Sequence, residues 1–174
     1  MNSPLGRAVQ RTIAQNALIL KDLPGKAWNG PNTAIGLAYG LAGHVAGELN
    51  RLRPGDRPVP KISLGHNAVE FRNNPFGGVS AITLGNASIY ADDPYDPQNP
   101  SWDNQKRTEG HSPQEHEEQH TYQGQQLGPL YLPSNLLGGL NSVLRGEGWH
   151  GEHNWNERGP QSNPPTPWAR KITR

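Results

Sequence analysis

Cysteine is absent from this chain of 174 residues, which excludes disulfides and thiolate metal sites and leaves imidazole and carboxylate as the available metal ligands. Large apolar side chains are scarce. Hydrophobic residues make up 32%, with two Phe and one Met against 21 Gly and 17 Pro, so one domain rich in loops with a modest core is expected. A charge of one sign is also lacking. The net charge is +1 with both signs interspersed, which removes the electrostatic case for nucleic acid or an anionic membrane as partner. The longest apolar candidate, residues 34–45, contains His44 and is followed by Glu48, well short of the roughly 20 residues that cross a bilayer, so no stable membrane span is expected. The apolar run at residues 17–20 ends in Lys21-Asp22 and is too short for a secretory signal. Synthesis in the cytoplasm is therefore expected, and any action outside the producing cell requires another carrier.

Residues 112–129 are the most informative stretch. Ser112-Pro113-Gln114-Glu115 forms a capping box with Pro at the first helical position, and Gly128-Pro129 supplies the stop, leaving about four helical turns between. Within them lies His116-Glu117-Glu118-Gln119-His120, an H-E-x-x-H pattern. Residues four apart share a helix face, so both imidazoles can bind one Zn²⁺ at about 2.0–2.1 Å. Glu117 lies beside that face, where its carboxylate can take a proton from a water that the metal acidifies and pass it to a leaving amine. The competing reading is a solvated helix face rich in Glu, Gln and His.

The helix resembles the active-site helix of the zincin metallopeptidases. That resemblance makes His116 and His120 ligands and Glu117 the general base, with a third ligand downstream. The metzincin continuation H-E-x-x-H-x-x-G-x-x-H is not met, because Gln123 and Gln126 occupy the Gly and third His positions. Gluzincins take a Glu from a later helix, which directs attention to Glu147, Glu152 and Glu157.

Ahead of this helix, residues 4–20 are compatible with a helical N-terminal extension reaching to about residue 30, with Val9, Ile13, Ala17 and Leu20 on one side. A second helix is expected from Asn32 or Thr33 to the break at Pro54-Gly55. Gly36, Gly40, Gly43 and Gly47 share one of its faces, and since each Gly costs about 1 kcal/mol in a helix, close approach of another backbone is expected there. The expected neighbour is the helix carrying His116 and His120. Residues 61–64 and 68–71, then 79–84 and 87–90, read as short strands. Ile62-Ser63-Leu64-Gly65-His66-Asn67 recurs as Ile82-Thr83-Leu84-Gly85-Asn86-Ala87, suggesting two hairpins around Gly65 and Gly85 in a meander. By the zincin resemblance, the segment Val79, Ser80, Ala81, Ile82, Thr83, Leu84 is the edge strand that binds an extended peptide. Residues 91–110 read as a loop that either covers the cleft or is an exposed insertion; its Asp residues have no EF-hand spacing.

After the H-E-x-x-H helix, residues 127–144 form the most apolar stretch and are expected as core support, with a helix starting near Pro133-Ser134. The cluster Trp149-His150-Gly151-Glu152-His153-Asn154-Trp155-Asn156-Glu157 then offers competing third ligands: Glu157, Glu152, His150 and His153. The gluzincin resemblance favours Glu157, from a short last helix. A His left over, or Tyr122 or Tyr131, is then a candidate donor to the oxyanion of a tetrahedral intermediate. The tail, residues 160–174, reads as an extended Pro-rich segment anchored by Trp168.

These readings define an expected fold class and activity: a single α+β, zincin-like domain with a small antiparallel or mixed meander sheet, hydrolysing peptide bonds with zinc. The segments 123–132 and 157–160 also resemble metallopeptidase-like domains of bacterial Rhs, VgrG and related polymorphic-toxin systems. That resemblance implies an antibacterial effector delivered by a specialised secretion system, with a carrier and an immunity protein as partners. One alternative is a hydrolase of peptidoglycan peptides; another is a non-enzymatic interaction domain with a solvated His/Glu-rich helix.

Overall fold

The computed structural model describes residues 20–78, 80–96 and 110–169. The helix expected before residue 20, Val79, the centre of the loop at 97–109 and the basic end at 170–174 lie outside the described residues. Among the described residues, four α-helices and a four-stranded sheet make an α+β fold. Helix α1 (Leu23–Trp28) is started by Asp22, whose side chain accepts from Gly25 N, and Asn29 separates it from the long α2 (Gly30–Arg51). Strands β1 (Lys61–Gly65), β2 (Ala68–Arg72), β3 (Ala81–Leu84) and β4 (Ala87–Tyr90) follow, then α3 (Pro113–Leu127), a 3-10 turn and α4 (Tyr131–Leu144). Among the described residues, no helix is long and apolar enough to cross a membrane.

Both hairpins form, each closed by two residues. His66 (φ 44°) and Asn67 (φ 63°) make the first turn, and Gly85 (φ 67°) with Asn86 the second, so the first turn lies one residue beyond the expected Gly65. The sheet is not a meander. Its order is β1-β2-β4-β3, with β2 and β4 parallel and both hairpins antiparallel. Burial explains the difference: all four residues of β4 are buried and most of β2, so these strands pair centrally and leave β1 and β3 as edges. Strand β3 is also shorter than expected, beginning at Ala81.

Alternation along β2 and β4 puts Phe71, Ala87 and Ile89 in one small apolar cluster beneath α2. Here the glycine stripe finds its partner, which is the sheet and its loops rather than α3. A Cβ on Gly36 would collide with the Leu84 carbonyl, on Gly40 with the Phe71 ring, on Gly43 with the Asn74 side chain, and on Gly47 with Pro60. The opposite sheet face carries Glu70, which accepts from Ser63, His66 and Tyr95. Asp93 belongs to this cluster rather than to a cation site, since it pairs with Lys61 at 2.8 Å and Arg72 at 3.0 Å.

The leucine-rich stretch departs from the expected core role. Helix α4 buries Tyr131, Gly138, Gly139 and Ser142, while Leu137, Leu140, Val143 and Leu144 stay exposed. The small residues face inward because a loop packs on them: Trp149 lies over Gly139, and Asn154 meets Gly138.

Replacing Gly40 by Ala gains about 1 kcal/mol of helix propensity but forces a methyl into the Phe71 ring, an overpacking worth about 1–3 kcal/mol. Urea denaturation should show Gly40→Ala less stable than wild type. Gly30→Ala, where an added Cβ meets nothing, should be as stable or more stable.

Candidate metal centre

The capping box at the start of α3 forms as the sequence implies: Ser112 Oγ accepts from Glu115 N at 3.3 Å, and Glu115 Oε2 accepts from Ser112 N at 2.6 Å. This fixes the helix phase, and His116, Glu117 and His120 come to line one cleft. Each is less than a tenth exposed. The third member arrives from a turn, not from a helix. Glu157 lies in the loop after α4, held by a pair of buried asparagines. Asn156 donates from Nδ2 to Ser134 O and from its backbone N to Asn154 Oδ1, and Asn154 Nδ2 donates to Trp149 O. Trp149 over Gly139 and Trp155, which donates to Ser134 Oγ, fasten the same loop to α4.

The donor atoms converge. His116 Nε2 and His120 Nε2 are 3.2 Å apart, His116 Nε2 is 3.2 Å from Glu157 Oε2, and His120 Nε2 is 3.6 Å from Glu157 Oε1. Ligand atoms held about 2.1 Å from one ion at tetrahedral angles stand about 3.3–3.4 Å apart, and these separations, the two to Glu157 being to different carboxylate oxygens, lie within a few tenths of an ångström of that. Glu157 Oε2 fits the same picture. It is buried, 3.2 Å from His116 Nε2 and 3.2 Å from His150 Nδ1, yet makes no hydrogen bond of good geometry among the described residues. His116, His120 and Glu157 can therefore hold a metal ion.

The other expected residues divide. His150 joins the site: its exposed ring has Nδ1 3.2 Å from Glu157 Oε2 and lines the cleft. His153 is drawn away by Glu147, which binds its Nδ1 at 2.6 Å and its backbone N at 2.9 Å. Glu152 is exposed and contributes only its carbonyl, to Arg158. Tyr122 donates to Glu118 Oε1 at 2.7 Å, away from the cleft, as its position two residues past His120 on a helix dictates. Tyr131 is buried 6.5 Å from His120, ring to ring, and donates to Thr83 O at 3.3 Å. Ser80, Ala81, Ile82, Thr83 and Leu84 border the same cleft of about 1020 Å³, opposite Leu132, Leu136 and Trp149.

Two neighbours were not expected from the sequence. His111, just ahead of the cap, is buried with its ring stacked on His116 at 6.0 Å. Gln123 is fully buried and its Oε1 lies 2.9 Å from His120 Nδ1. Its three-residue spacing from His120 on one helix was the available signal.

Burial works against charge here, but the partners prevail. Desolvation disfavours the imidazolium of His120, yet Glu157, with Glu117 and Gln123, lifts it to about 9. Contact with Glu157 likewise raises His150 above its ordinary value. Burial pushes the Glu157 carboxyl up, while His120, His116 and His150 together hold it far below the usual carboxylate range. Burial and then Glu117 and Glu157 keep the Tyr131 phenol protonated well above its ordinary value. Comparison of the chain with protein-family models, curated proteins and solved structures finds no match.

The sign of the pH dependence follows. Because the folded value of His120 lies above its unfolded value near 6.5, its contribution to the stability of the metal-free protein is full below about pH 6.5 and lost as pH rises through about 9. Glu157 works in the other direction, contributing above the ordinary carboxylate range and losing its contribution only in strong acid. Thermal melts of metal-free protein should show a falling melting temperature between about pH 6.5 and 9.5. His120→Ala should remove most of that slope.

Proposed function

We propose that the chain is a metal-dependent peptide hydrolase with a zincin-like site. The observation that carries this reading is the triangle formed by His116 Nε2, His120 Nε2 and the Glu157 carboxylate, its ligand atoms within 4.8 Å of one another in the wall of a cleft. Two imidazoles and a carboxylate suit Zn²⁺ and leave a coordination position for reaction. When bound, the ion supplies Lewis-acid polarisation and lowers the pKa of water to near neutrality.

The chain's own residues then divide the work. Glu117 borders the cleft beside the triangle, where its carboxylate accepts a proton from the attacking water and returns it to the departing amine. His150, whose ring lines the cleft beside Glu157 and whose pKa that carboxylate raises, donates to the oxygen that becomes negative. Strand β3 pairs with β4 on one side only. Residues 80–84 line the same cleft, so an extended peptide can add to the unpaired edge of the strand, with Leu132, Leu136 and Trp149 of the same lining excluding water. Among the described residues lining the cleft, charged and titratable groups are confined to the proposed reacting side chains, which favours a peptide over a highly charged polymer.

Elemental analysis of dialysed protein should give one zinc per chain, lost in His120→Ala and Glu157→Ala. Glu117→Gln should keep the metal and lose about 10²–10⁴ in kcat on casein. His150→Ala should also keep the metal and lose about 10²–10³. Hydrolysis of purified sacculi with casein untouched would redirect the reading to peptidoglycan peptides. Unchanged turnover in Glu117→Gln would sink the assignment of the base.

A further inference from the structure

We propose that Gln123 is a positioning residue: it selects which nitrogen of His120 is the donor and locks that choice to the backbone bearing Glu157 and to the C-terminal segment. The proposal rests on the metal reading above. Its argument begins with the orientation of one amide. Gln123 is fully buried, and its Nε2 donates to two carbonyls from different parts of the chain, Asn156 O at 2.7 Å and Pro167 O at 2.5 Å. Carbonyl oxygens only accept, so turning the amide over would set its oxygen against both of them. The Oε1 atom is therefore held toward His120, 2.9 Å from Nδ1.

An acceptor at that place requires a proton on Nδ1. The ring nitrogen left without one in the neutral imidazole is then Nε2, the atom that faces His116 and Glu157. The same amide also fixes distance. Asn156 immediately precedes Glu157, so one side chain clamps His120 on α3 and the peptide unit next to the third ligand. Pro167 is itself secured by its neighbours: Thr166 N donates to Gly159 O at 3.0 Å, and Trp168 Nε1 donates to Gln126 Oε1 at 2.6 Å. Residues 166–168 thus act as a strap behind the centre, joined to it through Gln123.

Loss of a second partner to a ligating His costs about 10–100-fold in metal affinity. The test uses the full chain and two measurements. In metal-free wild type labelled with ¹⁵N at histidine and held above about pH 9.5, where the His120 ring is neutral, the nitrogen resonances should show a protected Nδ1–H and a bare Nε2, and Gln123→Met should lose that preference. Zinc affinity, measured by competition with a chromogenic chelator, should weaken about 10–100-fold in Gln123→Met while the far-UV circular dichroism stays that of wild type. Absence of the protected Nδ1–H in wild type overturns the proposal even if the variant does not fold, and so does unchanged zinc affinity in a folded variant. Wild type that binds no zinc but shows the Nδ1–H refutes the metal reading instead, so the two failures are distinguishable.

Discussion

A ladder of buried side-chain amides holds this molecule together. Asn32 donates to Asn29 and to Gly128 O, Asn29 donates to Asn86, Asn86 donates to Asn67 O, and Asn67 donates to Thr121 on α3. All are less than a tenth exposed. The ladder joins the α1–α2 junction, both hairpin turns and the site helix, which a core of six buried hydrophobic residues has little surface to do. Each bond contributes only about 1 kcal/mol net, but an unpaired member would cost about 1–3 kcal/mol, so the network penalises every arrangement except the one that satisfies all of it. Thr121 follows His120 directly, and Gly124, one turn on, lets Asn29 lie against the same helix. The rotation of α3 is thereby fixed from behind, and the opposite face must present His116 and His120 to the cleft.

The segment bearing the third candidate ligand, Glu157, is held by the same kind of chemistry. Glu157 sits on no helix or strand, yet Asn154 and Asn156 before it are fully buried and their amides tie the turn to Trp149 O and Ser134 O. A turn pinned in this way is as defined as an element of regular structure. Loops that carry chemistry usually rely on a rigid scaffold beneath them, and here Gly138 and Gly139 make α4 flat enough to serve as one. The leucines left on the outer side of α4 follow from this use of its inner face.

Sequence legibility tracks how local the determining contacts are. The start, stop and H-E-x-x-H face of α3 are written within sixteen or so consecutive residues, and the helix forms over that span. The two hairpins are legible because a two-residue turn and its flanking strands are equally local. The pairing of β2 with β4 was not, since it depends on which strands the Gly face of α2 can cover. That stripe announced close approach without naming what approaches. Glu157 could not be separated from Glu152, His150 and His153 by spacing, because turns decide which of them points inward. In sequence Gln123 stands at the metzincin glycine position and opens the segment that resembles toxin-associated domains, whereas its buried amide contacts two carbonyls distant in sequence.

Helix α3 breaks the usual rule for buried helices. Nine of its fifteen residues are buried, and these include two His, one Glu and three Gln but no large aliphatic side chain. A helix of that composition gains little from burial itself, because apolar area is what burial rewards. Its position must be maintained by bonds at specific atoms, and the structure supplies them at Thr121, Gln114 and Gln123. Two carboxylates, Glu117 and Glu157, are then enclosed with His116 and His120, and in the metal-free protein part of the balancing charge is a proton on His120. A divalent cation among the same atoms would replace that proton and neutralise both carboxylates at once. Departures from local rules of this kind concentrate where function requires them, and the polar inner face of α3 is what the candidate centre proposed there would require.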